Sequence, residues 1–288
     1  MADKLQTITD IHRHITGMLS RLWPPREAGA MASAIILEYT GMNSAARLAY
    51  GDRIPDAHQK EMIESAATRA SKGEPLQYIF GYTMFCGHRI EVMKGVLIPR
   101  PETEEMTYMI IEENKGFKGT IADLGTGSGC IAIALSIAFP LSKVVAADIS
   151  SAALKIAAGN IDLNRASVTL AEADILTVDP SVLPMSDIIV SNPPYVTESE
   201  KNAMHVNVID HEPGEALFVP DNDPLMYYRK IIAIADRRLA PGGSLWLEVN
   251  ENLAEETARI TDRDTYSGVC IIKDIRGKKR FLKAKKHE

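Results

Sequence analysis

Asp123-Leu124-Gly125-Thr126-Gly127-Ser128-Gly129-Cys130 joins an apolar run, Thr120 to Leu124, to a helix-forming run that starts at Cys130. How that join is read decides the fold. A short apolar run closed by glycines reads as a buried strand, and glycines at a strand-to-helix turn let a ligand come close to backbone N–H groups. A tight structural turn and a dinucleotide loop would also use glycines. Here the spacing is G-x-G-x-G, with Cys130 where a dinucleotide loop places its third glycine, so the expectation moves toward a nucleoside without a pyrophosphate.

Outward from this join, strand and helix patterns alternate. Strands are predicted at Val144 to Asp148, Val168 to Ala171, Ile188 to Ser191, Ser244 to Val249, Val269 to Ile272 and Phe281 to Leu282. Helices are predicted from Cys130 and Ser151, over Leu225 to Leu239 and over Ala254 to Ile260. Such alternation implies an α/β fold with a mostly parallel sheet and ligands at the carboxyl ends of its strands. Asp148 ends the second strand about 20 residues past the glycines, where a carboxylate can hold both ribose hydroxyls. That role is preferred to a plain cap for the helix from Ser151. Asp174, after the third strand, can reach the adenine amino group, with a structural cap a closer competitor than it is for Asp148, and Ile149 and Ile175 offer apolar walls for a base.

Ser191-Asn192-Pro193-Pro194-Tyr195 follows the fourth strand at the same rim. Each proline fixes its own φ near −65° and pushes the residue before it into extended backbone. The Asn192 side-chain oxygen and the Pro193 carbonyl are then free to accept from the two N–H bonds of a planar NH2 group, with Tyr195 covering its flat face. Alone, this pocket does not distinguish adenine, cytosine or an amide.

Upstream, Leu5, Ile8, Ile11, Ile15, Met18, Leu19 and Leu22 recur at helical spacing, and Pro24-Pro25 opens a second helix through Ala30 to Tyr39. Asn43 or Ser44 caps a third, and Pro55-Asp56 opens a fourth to about Ser71. From Gly73 the punctuation changes, and Leu76 to Gly81 and His88 to Val92 read as strand or hairpin pieces. The domain expectation is a helical unit over 1–72, a strand or hairpin connector over 73–98 and an α/β unit over 99–288.

Composition narrows the partners. The 288 residues are 45% hydrophobic and 24% charged, as in a soluble globular protein, and a net charge of −6 gives no general pull toward phosphate backbones. The basic stretch Lys278, Lys279, Arg280, Lys283, Lys285, Lys286 is read as a solvated edge strand in preference to a binding arm. Three scattered cysteines suit a reducing cytosol, and the seven histidines show no metal-binding spacing. Met1-Ala2-Asp3-Lys4 leads into no apolar signal core, and no apolar run is long enough to span a bilayer.

Glycine loop, Asp148 and Asn192-Pro193-Pro194-Tyr195, in this order, resemble the class I S-adenosylmethionine-dependent methyltransferases that modify amino nitrogen. Within them the chain is similar to the release factor glutamine methyltransferases. The further matches are Gly73-Glu74-Pro75-Leu76-Gln77-Tyr78-Ile79, Phe85-Cys86-Gly87, Leu97-Ile98-Pro99-Arg100-Pro101-Glu102-Thr103-Glu104 and Arg276-Gly277-Lys278-Lys279-Arg280-Phe281. The resemblance implies a seven-stranded Rossmann-like catalytic sheet, an N-terminal helical bundle that contacts the release factor, and a β-hairpin connector. It implies donor contacts at Gly125, Thr126, Gly127, Ser128, Gly129, Asp148 and Asn192, to which the residue reading adds Asp174 and Ile175. Substrate contacts are implied at Asn192, Pro193, Pro194 and Tyr195, and the expected catalytic residues are Asn192, Pro193 and Tyr195.

The implied reaction is methyl transfer from S-adenosylmethionine to the glutamine of the Gly-Gly-Gln motif in class I peptide-chain release factors, leaving S-adenosylhomocysteine. A cytoplasmic monomer without metal, membrane or nucleic-acid substrate is expected. The rival is an N6-adenine or N4-cytosine methyltransferase that flips a base into the same pocket; a binding module that uses S-adenosylmethionine as a structural ligand or sensor is the reading from another class. Two departures from the family pattern stand out: Ile175 stands where some members carry an aromatic beside the adenine, and Glu248-Val249-Asn250-Glu251-Asn252 lacks the glycine that many members place after the glutamate. Arg100 and Glu102 are read as a functional interdomain pair or a plain salt bridge.

Overall fold

The computed structural model describes residues 7–288, so Leu5 and the Met1–Lys4 start lie outside the described residues. Two compact units form. One runs to Gly81 and includes His205–His211; the other comprises Tyr82–Met204 and Glu212–Glu288.

The first unit holds α1 (Ile8–Leu19), α2 (Pro25–Thr40), α3 (Ser44–Tyr50), α4 (Ala57–Ala70) and α5 (Leu76–Phe80). Local chemistry starts each of the first four. Thr7 and Asn43 side chains accept N–H groups of the first turns of α1 and α3, Pro25 occupies the first position of α2, and Asp56 and Gln59 cap α4 reciprocally. Ile11, Ile15 and Leu19 then meet Ile35, Ile63 and Ala66 in one core. The strand expected at Leu76 to Gly81 is instead the helical turn α5. Pro75 precedes it, Gly81 closes it at φ +81°, and the Arg69 guanidinium donates to its Tyr78 and Ile79 carbonyls, so local capping outweighs the β-rich composition.

The second unit opens with the hairpin β1 (Tyr82–Phe85) and β2 (His88–Glu91), turned by Cys86 and Gly87 at φ +49° and +79°. Two positive φ values in a two-residue turn match the twist of the flanking strands. There follow α6 (Pro101–Glu113), β3 (Thr120–Leu124), α7 (Cys130–Ala138), β4 (Lys143–Asp148), α8 (Ser151–Asn164), β5 (Val168–Glu172), β6 (Ser186–Ser191) and β7 (Val196–Thr197). After α9 (Val206–His211), which belongs to the first unit, come β8 (Phe218–Val219), α10 (Met226–Arg238), β9 (Leu239–Glu248), α11 (Ala254–Ile260), β10 (Tyr266–Lys273) and β11 (Lys279–Lys286).

Seven of these strands form one sheet in the order β10-β11-β9-β6-β3-β4-β5, parallel from β9 to β5 and antiparallel at β10 and β11. From β3 the chain steps outward through β4 and β5, then returns to β6 on the other side of β3. That reversal opens a crevice at the carboxyl ends of β3, β4 and β6, where the glycine loop, Asp148 and Asn192 all emerge. The basic strand β11 is not the edge expected from its lysines. The β10–β11 hairpin folds back so that β11 pairs with both β10 and β9, and β10 is the edge.

Candidate active site

The glycine loop is shaped by bonds that its own residues supply. Gly125 and Thr126 N–H groups both donate to the Ala147 carbonyl at 2.8 and 2.9 Å, which folds the loop across the end of β4. Gly125, Gly127 and Gly129 all have positive φ. The Thr126 hydroxyl donates to buried Asp123 at 2.6 Å, and the Asn160 side chain donates to the Ser128 carbonyl at 2.9 Å. A Cβ on Gly129 would meet the Ala157 Cβ at 3.2 Å, so this glycine admits α8 rather than a ligand. Burial pushes the Asp123 carboxyl up to about 7, against the Thr126 hydroxyl that lowers it.

Beside the loop is a cavity of about 130 Å³. Gly125, Gly127, Asp148, Ile149, Asp174, Ile175, Asn192 and Pro194 line it; Thr126, Ser128 and Gly129 do not, because they are turned into the loop's own packing. Leu97, Glu215 and Tyr227 are among the other residues of the wall. Asp148 accepts the Gly127 N–H at 2.8 Å and the Ser150 N–H at 2.9 Å, one on each oxygen, while Ser150 itself caps α8. Each of those oxygens keeps a lone pair for a further donor. Asp174 accepts from the Leu176 N–H and the Thr177 hydroxyl, so it caps its turn and faces the cavity together. Among the described residues, Asp148, Asp174 and Glu215 are the charged residues of the wall, and no Lys or Arg joins them. A pyrophosphate has no cationic partner there. A cationic nucleoside rich in hydroxyl and amine donors does have partners.

Asn192 also borders a second, smaller cavity of about 30 Å³ with Leu97, Arg100, Pro193 and Tyr195. Its amide nitrogen donates to the Thr103 hydroxyl at 3.0 Å. Thr103 donates in turn to Glu248 at 2.7 Å, and the Tyr195 hydroxyl donates to the other Glu248 oxygen at 2.9 Å. Glu248 is 1% exposed, and burial raises its carboxyl while the two hydroxyls and Arg280 pull it back. The Asn250 side chain donates to the Tyr195 carbonyl and to Glu200, so Asn250 braces the tetrapeptide. Among the described residues, neither the Asn192 side-chain oxygen nor the Pro193 carbonyl accepts a hydrogen bond.

Several participants carry no site role in the sequence reading, although Thr103 lies within the Leu97–Glu104 match. Thr103, Glu248, Tyr227 and Asn160 reach the site from four different elements, and the signals that mark them are weak: an acidic first turn after Pro101, and a carboxylate closing an apolar strand. Arg100 and Glu102 do not pair with each other. Arg100 bonds Glu212 at 2.6 Å, and Glu102 lies 3.8 Å from Arg276. Glu212 also accepts the Ile98 N–H, so this buried carboxylate holds the Leu97–Arg100 stretch against the site. Burial pushes the Cys86 thiol up to about 12 and Cys130 higher still, which leaves neither as a thiolate nucleophile. Among the described residues no group of three His, Cys, Asp or Glu side chains is placed to hold a metal.

The fold has solved counterparts. A methyltransferase from Pyrococcus furiosus superposes with a TM-score of 0.51 at 20% identity over 81% of this chain and 100% of that one. The T. thermophilus 16S rRNA N2 G1207 methyltransferase, solved with AdoMet and guanosine, superposes at 0.53 with 19% identity over 72% and 50%. Two family models match the sequence: "Methyltransferase small domain" over residues 103–217 and "PrmC N-terminal domain" over residues 24–81. A release factor glutamine methyltransferase of Bacteroides thetaiotaomicron is 43% identical over 95% of this chain and 98% of its own length. Those of Flavobacterium psychrophilum and Lactococcus lactis are 43% and 39% identical over 76% and 81% of this chain, and 78% and 85% of theirs. With an Asn-Pro-Pro-Tyr wall between two cavities and this similarity along nearly its whole length, the chain belongs to the release factor glutamine methyltransferases.

Proposed function

We propose that this chain transfers the methyl group of S-adenosylmethionine to the side-chain amide nitrogen, N5, of the glutamine in the Gly-Gly-Gln motif of class I peptide-chain release factors. One observation carries the reading: the unpartnered Asn192 side-chain oxygen and Pro193 carbonyl stand where the small cavity adjoins the carboxylate-lined one. S-adenosylmethionine supplies a methyl on a cationic sulfur, which three carboxylates at the wall favour. Asp148 receives the ribose hydroxyls, Asp174 the adenine amine, and Ile175 and Ile149 the faces of the base. Gly125 and Gly127 give close backbone approach; Thr126, Ser128 and Gly129 hold the loop in that form.

An amide nitrogen is a weak nucleophile because its lone pair is delocalised into the carbonyl. Asn192 and Pro193 offset this by accepting both N–H bonds, aiming the nitrogen at the methyl and favouring the positive charge that develops there. Tyr195 and Pro194 cover the amide plane. The nitrogen–carbon bond forms as the carbon–sulfur bond breaks, and the nitrogen proton, acidic only once the methyl arrives, leaves to water.

The helical unit over residues 1–72 is assigned to release-factor contact, 73–98 to the connector and 99–288 to chemistry. Leu48, Tyr50 and Ile54, 83%, 61% and 60% exposed, support that assignment as apolar surface left for a protein partner. A cytoplasmic monomer fits such a substrate, and no helix among the described residues is long and apolar enough to cross a membrane. Base flipping into a nucleic-acid enzyme finds no support in the basic stretch. Lys278, Lys279 and Lys283 pair with Glu251, Glu255 and Glu113, and Lys286 donates to two carbonyls. The test is labelled-donor transfer to a release factor compared with DNA and RNA; label entering nucleic acid and not the factor overturns the proposal.

A further inference from the structure

The hydrogen-bond chain behind Asn192 has a direction. A hydroxyl has one hydrogen to give. Thr103 gives its hydrogen to Glu248 and therefore meets Asn192 as an acceptor, which requires the Asn192 NH2 to face Thr103. The Asn192 oxygen is thereby left on the opposite side of the amide. Tyr195 spends its own hydrogen on the second oxygen of the same carboxylate, so one buried group at the end of β9 orients two members of the tetrapeptide. Thr103 is 3% exposed and lies outside the linings of both cavities, so it touches neither donor nor acceptor.

We infer that Thr103 and Glu248 are positioning residues that set the polarity of the Asn192 amide, so that the site takes a neutral NH2 acceptor and rejects a carboxylate. The inference rests on the proposed glutamine reaction. With its oxygen presented, Asn192 accepts an amide N–H and repels a glutamate oxygen. Turned over, it would present N–H to the acceptor, which suits glutamate and repels glutamine. Nothing else among the described residues bonds the Asn192 side chain, so loss of the Thr103 hydroxyl frees the amide to turn.

The experiment compares wild type, Thr103→Val and Thr103→Ser in methylation of a class I release factor. Inhibition is measured with the same factor carrying Gln→Glu at the acceptor, alongside the donor Kd and thermal midpoint. Val removes the hydroxyl at nearly constant volume; Ser keeps it. T103V is expected to lose about tenfold or more in kcat with its donor Kd within about twofold of wild type. Its ratio of Ki for the glutamate factor to KM for the glutamine factor falls by about tenfold, while T103S stays within about threefold of wild type on every measure. If T103V fails to fold, Thr103→Ala carries the same comparison. An unchanged Ki to KM ratio in the folded variant, or equal losses in T103V and T103S, overturns the inference. Failure of the wild type to methylate the glutamine overturns the underlying reading and the inference with it, and is seen before any variant is compared.

Discussion

Asn192 and Asp123 separate chemistry from stability at single positions. Asn192→Ala removes an acceptor aimed at developing charge, so kcat falls on the order of a hundredfold while the donor Kd, read by calorimetry, changes little; unchanged turnover contradicts its role. Asp123 has its carboxyl raised to about 7 in the fold, against 3.8 when exposed. Between those values the folded state holds the extra proton, so this group's contribution is most favourable below the lower value and is lost as pH rises through the upper one. Asp123→Asn removes that loss. The stability difference, variant minus wild type by urea unfolding, is therefore expected to rise from pH 5 to pH 8 by on the order of 3 kcal/mol. A flat difference contradicts it. Asn192 to Tyr195 was legible in sequence because proline restricts backbone whatever surrounds it. The roles of Thr103 and Glu248, though both lie in stretches the sequence singles out, were not, since their bond joins residues 145 apart and only the packing of α6 on the end of β9 brings them together.

Elements were most legible where one face or both faces are buried. Thr120–Leu124 reads directly from its apolar run, and α4 from Pro55-Asp56 at its start. The helix α6 was missed because Pro101 sits in a proline-rich connector, although Pro at the first position with Glu102 and Glu104 in the first turn is a start signal. Gly129 and Gly127 in the loop make different demands, and substitution separates them. Gly129→Ala forces α8 and the loop apart at 3.2 Å in addition to the strain of a φ of +83°, and costs about 2–3 kcal/mol in urea unfolding. Gly127→Ala meets nothing within 4 Å and costs about 1 kcal/mol, but adds a methyl at the cavity wall, so its larger effect is a weaker donor Kd. Equal stability losses contradict this division. Asn160 is a second such join, since its side chain bonds both the Glu91 N–H and carbonyl in β2 and the Ser128 carbonyl in the loop. Its sequence signature is a plain polar residue in α8, which tertiary structure alone gives a purpose.

For the whole molecule, family similarity supplies what neither cavity specifies, a protein glutamine as acceptor. The tetrapeptide fits any planar amine, and the three carboxylates of the larger cavity fit a cationic donor. The helical unit should then govern affinity for the intact factor and leave chemistry alone. Leu48→Asp with Ile54→Asp is expected to raise KM for a whole release factor about tenfold with kcat and thermal midpoint nearly unchanged; an unchanged KM contradicts that assignment. The most direct test of the central claim is mass spectrometry of a class I release factor after incubation with this enzyme and S-adenosylmethionine. One added methyl on the Gly-Gly-Gln glutamine, absent when that glutamine is replaced by alanine, is the expected result. An unmodified glutamine, or the same mass gain on the alanine variant, contradicts it.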